Sequence, residues 1–481
     1  KNLVMPSASC VANLNPLLEG YKEAAMLNPI YDPLYVIDVN ETRYYLADSY
    51  EVSEDGMQIT VKLKEGLKWH DGEAITADDM IFTMDVCSDT NNGAGGTNIV
   101  ILNDQPVKYE KVDDLTVKVT LPMASASYAD LLGGLTLIPE HVFEGNPSVV
   151  SAGEANMKGI GSGPYKVTEF KQDEYLLLEK YEDYYMGAPS IDKVTFRIIS
   201  DLSAQEVALM NGEVNFMELA NAPAVAKYEA DPNFTVVKYP EGRVNYLAVN
   251  KFCETVQDPK VVEAVFAALN RDEIIAGAYG DGMAESANSI FSNVNTFYDP
   301  SVEGYTQDVE KAKQLVKETG LDSKTLTLYF NSERVYMKES AQIIQQQLKN
   351  VGINLEVIPL ESAGFFEKVF GTDGDYEFYL NGYGAVGDPD QVVAGMYDGT
   401  WGVNLAVSDE VSQLWKDART VYTPEERAAI YKQIQIQTRD ELTCYPIAYP
   451  NYVFVTTSNI KGADTIKRTP VFEDYTKLTM E

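Results

Sequence analysis

The chain has 481 residues, more than one hydrophobic core supports when domains run to about 100–200 residues each, so two or three domains are expected. Its composition, 45% hydrophobic and 23% charged, is that of a globular protein, and no segment reaches the roughly 18 uninterrupted apolar residues of a membrane span. Lys and Arg number 38 against 73 Asp and Glu, and the resulting charge of −35 repels nucleic acid and anionic lipid, which excludes nucleic-acid binding.

The stretch Lys1-Asn2-Leu3-Val4-Met5-Pro6 lacks the apolar run of a signal peptide and reads as a first strand, so a mature or truncated chain is expected. Ile59, Val61 and Leu63 alternate with polar residues, as do Leu115, Val117, Val119 and Leu121, and both segments read as half-buried strands. Between them Thr76, with Asp79 three residues on, opens a helix bearing Ala77, Met80, Ile81 and Met84 on one face. Residues 36–164 thus read as a small α+β unit.

Val194, Phe196 and Ile198 form a further alternating strand, and Ser203 with Glu206 is expected to cap the helix that follows and stops at Gly212. A strand at 245–249 leads to Asp258-Pro259, a helix start whose stripe is Val261, Val265, Ala268 and Leu269. Thr325–Phe330, a helix with Met337, Ala341, Ile344 and Leu348 on one face, and the strand at Ile353, Leu355 and Val357 make a parallel crossover unit. Thr423-Pro424 with Glu426 opens a long helix, and residues 445–456 return to strand.

Cys10, Cys87, Cys253 and Cys444 show no Cys-x-x-Cys or Cys/His spacing, which leaves a structural zinc without support and keeps free thiols and disulfides both open. His70, in Trp69-His70-Asp71-Gly72, and His141, in Pro139-Glu140-His141, stand in turn contexts and are expected to be structural. Gly161-Ser162-Gly163 is no nucleophile elbow, because Ile160 and Pro164 occupy the positions where that motif needs glycines; a tight turn before Tyr165 is expected instead. No P-loop or His-Glu-x-x-His is present, and neither catalysis nor a cofactor or metal is expected.

Four stretches together carry a resemblance. They are Asn15-Pro16 with Ile30-Tyr31-Asp32-Pro33-Leu34; Leu63 to Gly72 running into Thr76-Ala77-Asp78-Asp79; Gly161-Ser162-Gly163-Pro164-Tyr165 with Tyr184-Tyr185 and Gly212-Glu213-Val214; and Asp258-Pro259-Lys260-Val261 with Arg271 to Ile275. The helix at 308–319 and the turn Gly387-Asp388-Pro389-Asp390 extend it. In this order they resemble the bacterial extracellular solute-binding proteins of family 5, the oligopeptide-, dipeptide- and nickel-binding components of ABC importers.

The resemblance implies an α/β, two-lobe periplasmic-binding-protein fold of type II with an inserted α+β subdomain. Residues 1–35, 165–250 and 445–481 are expected to form lobe I, 36–164 its inserted subdomain and 251–444 lobe II. It further implies an extracytoplasmic monomer, a cell-surface lipoprotein or periplasmic, that closes over a ligand and passes it to the permease subunits of an ABC transporter. Oligopeptide leads as ligand, an oligosaccharide or other non-peptide solute is the alternative, and a hydrolase or sensor module on the same scaffold is the alternative of another class. A nickel reading finds no suitably placed histidine.

For the ligand site, the resemblance puts Glu19, Gly20 and Ala24 on the cleft wall and brings Gly95, Gly96, Thr97 and Asn98 to the cleft, where small residues make room for bulk. Tyr383 ends a strand just before the Asp388-Pro389 helix start and is expected to line the cleft with Gly384, Ala385 and Val386. Peptide-binding members usually carry an aspartate, which pairs with the ligand's amine, where Ala385 stands here. Ala385→Asp is therefore expected to strengthen binding of free-amine peptides, with Glu19 as a substitute partner in the native chain.

Overall fold

The computed structural model describes residues 1–19, 23–38, 41–398, 400, 402–465 and 474–481. Two compact units emerge: residues 1–220, 224–238 and 453–481 form the first, and residues 221–223 and 239–452 the second.

The first unit opens with β1 (Asn2–Ser7) and contains an antiparallel sheet of β2 (Ala47–Val52), β3 (Gln58–Leu63), β4 (Lys108–Asp113) and β5 (Thr116–Thr120), paired in the order β2-β3-β5-β4. Ile59, Val61, Leu63, Val117 and Val119 all point into the core, as a period of two requires. Helix α1 (Ala77–Ser88) covers that face with Ala77, Met80 and Met84 buried, and its start is a complete capping box in which Thr76 and Asp79 each bond the other's backbone.

A second sheet combines β6 (Tyr165–Lys171), β7 (Tyr175–Lys180) and β8 (Lys193–Ile198), with β1 added parallel to β8 in the order β1-β8-β7-β6. The helix after β8, α2 (Leu202–Met210), corrects one expectation. Its cap is Asp201, whose carboxylate accepts the Ala204 N–H at 2.8 Å, and not Ser203. Glu206 instead pairs with Lys227 at 2.6 Å. Aspartate two residues nearer the strand is as strong a cap as serine, so the earlier start wins.

In the second unit β9 (Arg243–Val249), β10 (Thr325–Asn331), β11 (Asn354–Leu360), β12 (Phe378–Gly384) and β13 (Cys444–Thr457) pair in the order β13-β9-β12-β10-β11. Strands β10, β11 and β12 run parallel, while β9 is antiparallel to both neighbours. Helix α3 (Pro259–Ala268) begins at the Asp258 cap with proline in its first turn, and α4 (Val309–Thr319) begins at Asp308. Between β10 and β11, α5 (Met337–Asn350) buries Met337, Ala341, Ile344 and Leu348. Next come α6 (Ser362–Val369) and α7 (Pro424–Asp440); the Thr423 hydroxyl before α7 bonds the Glu426 carboxylate at 2.7 Å.

All four cysteines are free thiols. Among the described residues no helix is long and apolar enough to cross a membrane, and no group of three or more His, Cys, Asp or Glu is placed to hold a metal.

Candidate functional site

Parallel strands β10 and β11 end in register while β12 runs on past them to Gly384, and loops beyond such ends are where open α/β sheets place ligand groups. Register aligns Asn331 at the end of β10 with Leu360 at the end of β11, and Gly384 at the end of β12 with Arg243 at the start of β9.

The loop after β10 is held to α6 by a polar clasp. Buried Asn331 donates to Ser362 Oγ at 3.0 Å, and Ser362 Oγ donates to Glu333 Oε2 at 2.7 Å. This clasp presents Arg334, whose guanidinium lies over the Phe366 ring of α6, 5.8 Å from its centroid. Among the described residues Arg334 has no ion-pair partner. Burial first, and the nearby charge of Arg243 second, push its pKa down, with Tyr246 and Glu241 acting the other way. A guanidinium does not neutralise in a protein, so this shift marks a cation whose charge is incompletely compensated.

Arg243 is itself held by Glu241, Nε to Oε1 at 3.3 Å. On the same face of β9, Asn245 donates to Tyr279 Oη at 2.7 Å, while its own Oδ1 has no hydrogen-bond partner among the described residues. Tyr336, at a left-handed φ of 72°, stacks on Tyr279 with ring centroids 4.3 Å apart. Two cations, a buried amide oxygen without a partner among the described residues and an aromatic pair thus occupy one end of the sheet, and the cations suit an anionic ligand group.

The loop after β12 is anchored separately. The Ala385 N–H donates to Gly242 O at 2.7 Å, and its carbonyl accepts from Ser292 Oγ at 2.7 Å and Asn295 Nδ2 at 3.0 Å. Gly242 sits at φ +74°, and a Cβ there would meet Val386 Cγ2 at 2.0 Å, so the loop depends on glycine at that point. Alternation along the chain divides the expected site residues. Gly384 is exposed and Val386 half-exposed, whereas Tyr383 and Ala385 belong to the apolar cluster with Val244, Tyr246 and Tyr397. The Tyr383 hydroxyl is spent inside, donating to Ile290 O at 2.5 Å.

The remaining sequence candidates lie in the first unit. Glu19 is neither free nor fully exposed: its carboxylate accepts the N–H groups of Asn13 at 2.8 Å and Ala12 at 3.3 Å, holding a local turn. Gly20 and the Ala24 side chain lie outside the described residues. Gly96 does not open space, because a Cβ there would meet Cys87 Sγ at 2.6 Å, and Thr97 turns its hydroxyl to Ala94 O at 2.8 Å. Gly95 and Asn98 are exposed.

Arg334 was not among the residues singled out from sequence. A lone arginine after a strand end is the signal that was present, but the lack of an acidic partner among the described residues is visible only once the chain is folded.

The sequence profile of the bacterial extracellular solute-binding proteins, family 5, matches residues 41–404. The chain belongs to that family. It is 27% identical over 499 residues to the dipeptide-binding protein of Escherichia coli (strain K12), covering 96% of this chain and 92% of that one. Among solved structures it resembles the ABC transporter substrate-binding protein CtaP of Listeria monocytogenes, with 33% identity, a TM-score of 0.92, and coverage of 100% of this chain and 99% of that one. The putative peptide-binding protein AppA of Clostridium difficile matches with 33% identity and a TM-score of 0.90 over 100% of both chains. The mixed α/β architecture with large sheets is that of family 5 solute-binding proteins, extracellular by family description.

Proposed function

We propose that this solute-binding protein captures a short peptide by its terminal carboxylate at Arg334 and Arg243 and delivers it to the permease of an ABC importer, without turning it over. The observation that carries the reading is Arg334, a half-buried guanidinium set over the Phe366 ring with no acid paired to it among the described residues. Such a charge is costly to bury alone and strongly favours an incoming carboxylate, with which a guanidinium makes two parallel hydrogen bonds. The relatives support the peptide class, since one is named a dipeptide-binding protein and another a putative peptide-binding protein. A neutral oligosaccharide leaves the cation uncompensated and is the weaker reading.

Denaturing the purified protein and identifying the released small molecule by mass tests this directly. A peptide, recovered intact after prolonged incubation with the protein, is the expected result. A retained sugar, or cleavage of added peptides, refutes the reading.

A further inference from the structure

Phe366 and Phe370 lie four residues apart along α6 and its end, with ring centroids 6.2 Å apart; Phe366 is half-buried against the core that Phe365 and Val369 fill, and Phe370 is exposed. Phe370 is 51% exposed, and Val335, next to Arg334 in the clasped loop, is 61% exposed. Large apolar side chains left open beside an uncompensated cation make a surface with two chemistries, one apolar and one anion-seeking. The clasp through Asn331, Glu333 and Ser362 ties the Arg334–Val335 loop to α6, so the two chemistries keep a fixed spacing.

We infer that this site selects peptides whose last residue is apolar, with the carboxylate on Arg334 and the adjoining side chain on Phe366, Phe370 and Val335. The inference rests on the reading of the site as one for a peptide carboxylate. The charge and the apolar seat are complementary to a C-terminal residue because only there do a carboxylate and a side chain leave the same carbon. An acidic or very small last residue leaves the phenylalanines uncovered.

Calorimetry on the full chain tests it, with peptides of two to four residues ending in phenylalanine, in glycine, or in phenylalanine amide. Phenylalanine-ended acids are expected to bind about tenfold or more tighter than glycine-ended ones, the increment of partly burying one large side chain. Phe370→Ser, at an exposed position that leaves the core intact, is expected to bring that ratio towards unity, and the double variant Phe366→Ser/Phe370→Ser, which also removes the ring under Arg334, is expected to level the ratio while weakening both acids. Arg334→Gln is expected to weaken both acids by a similar factor and leave the amide unaffected. Equal affinity of phenylalanine- and glycine-ended acids for the native protein, or an unchanged ratio in folded Phe370→Ser and the double variant, overturns the selectivity while leaving the peptide reading standing. Failure of every peptide in the series to bind overturns both.

Discussion

Arg427 grips Asp388 through two parallel hydrogen bonds, Nη1 to Oδ2 at 2.7 Å and Nη2 to Oδ1 at 3.0 Å, with both side chains buried. Asp388 also accepts the Asp390 N–H at 3.1 Å, so one carboxylate caps the short helix at Pro389–Val392 and fixes the end of the loop that begins at Gly384. Arg427 comes from α7, far along the chain, and the pair therefore locks α7 to that loop.

Removing the cation leaves a buried carboxylate without its counter-charge, which typically costs about 3–5 kcal/mol. Arg427→Met is expected to lower unfolding stability by that order, and Arg427→Met combined with Asp388→Asn to recover a large part of it, because the uncompensated charge is then gone. Urea titrations of the two variants and the native protein measure the difference. A double variant no more stable than Arg427→Met contradicts the assignment of the cost to the stranded carboxylate.

His70 works in the first unit as a two-sided clasp. Its Nδ1 accepts the Gly161 N–H at 3.1 Å, so the proton is on Nε2, which donates to Gly163 O at 2.9 Å. The segment between lies against the chain at Ile30, where a Cβ on Gly161 would fall 2.0 Å from the carbonyl oxygen. The chain bends over residues 162–164 just before Tyr165, as expected, and the two glycines also permit the close approach of the two backbones.

Burial pushes the His70 pKa from 6.5 down to about 4, with the Gly163 bond opposing. Between those values the unfolded chain binds the proton and the folded one does not, so stability present above pH 6.5 is lost as pH falls towards 4. His70→Gln is expected to lower stability at neutral pH and to flatten this part of the profile, with peptide affinity unchanged. A large loss of affinity in the well-folded variant shows a role in binding that its geometry does not suggest.

Asp32 has the opposite sign. It is buried, accepts hydrogen bonds from the Tyr184 and Tyr185 hydroxyls, each at 2.7 Å, and has its pKa raised to about 7 chiefly by burial, with the tyrosine bonds and Lys64 opposing and Asp474 adding to the rise. From 3.8 up to about 7 the folded chain holds a proton that the unfolded chain has released, so this contribution is lost as pH rises through that window. Asp32→Asn mimics the protonated form. Relative to the native protein it is expected to gain stability as pH rises through the window, and a constant difference in melting temperature across it contradicts the assignment.

Features decided within a few residues were legible in the sequence. The Thr76–Asp79 box, the Asp258-Pro259 start and the buried stripe of α5 depend on neighbours one helical turn away, and the structure shows each of them. The Ser203 cap failed because Asp201 competed locally and because Glu206 found its partner at Lys227, a distance no spacing rule spans. Strand-end reasoning put Tyr383 at the end of β12, where it stands, but a tertiary contact, Tyr383 Oη to Ile290 O, turns that tyrosine inward. Arg334 escaped for the converse reason: what marks it is the lack of an ion-pair partner among the described residues.

Ala385 brings these threads together, because the expected gain from Ala385→Asp assumes a side chain open to ligand. The residue is 0% exposed and packs with Val244, Tyr383 and Tyr397, while its backbone is held by Gly242, Ser292 and Asn295. A carboxylate at that Cβ enters apolar surroundings with no cation provided, and a buried charge without a partner costs several kcal/mol or forces protonation. Ala385→Asp is therefore expected to lower the stability of the ligand-free protein by about 2–4 kcal/mol, and more at pH above the usual carboxylate range than below it. Free-amine and acetylated peptides are expected to leave that loss equally unrelieved, since a side chain in the buried cluster is out of reach of a ligand ammonium. Thermal melts at two pH values, with and without matched free and acetylated peptides, separate these effects. A ligand-free variant as stable as the native protein places the 385 side chain in contact with water and returns the position to the ligand surface.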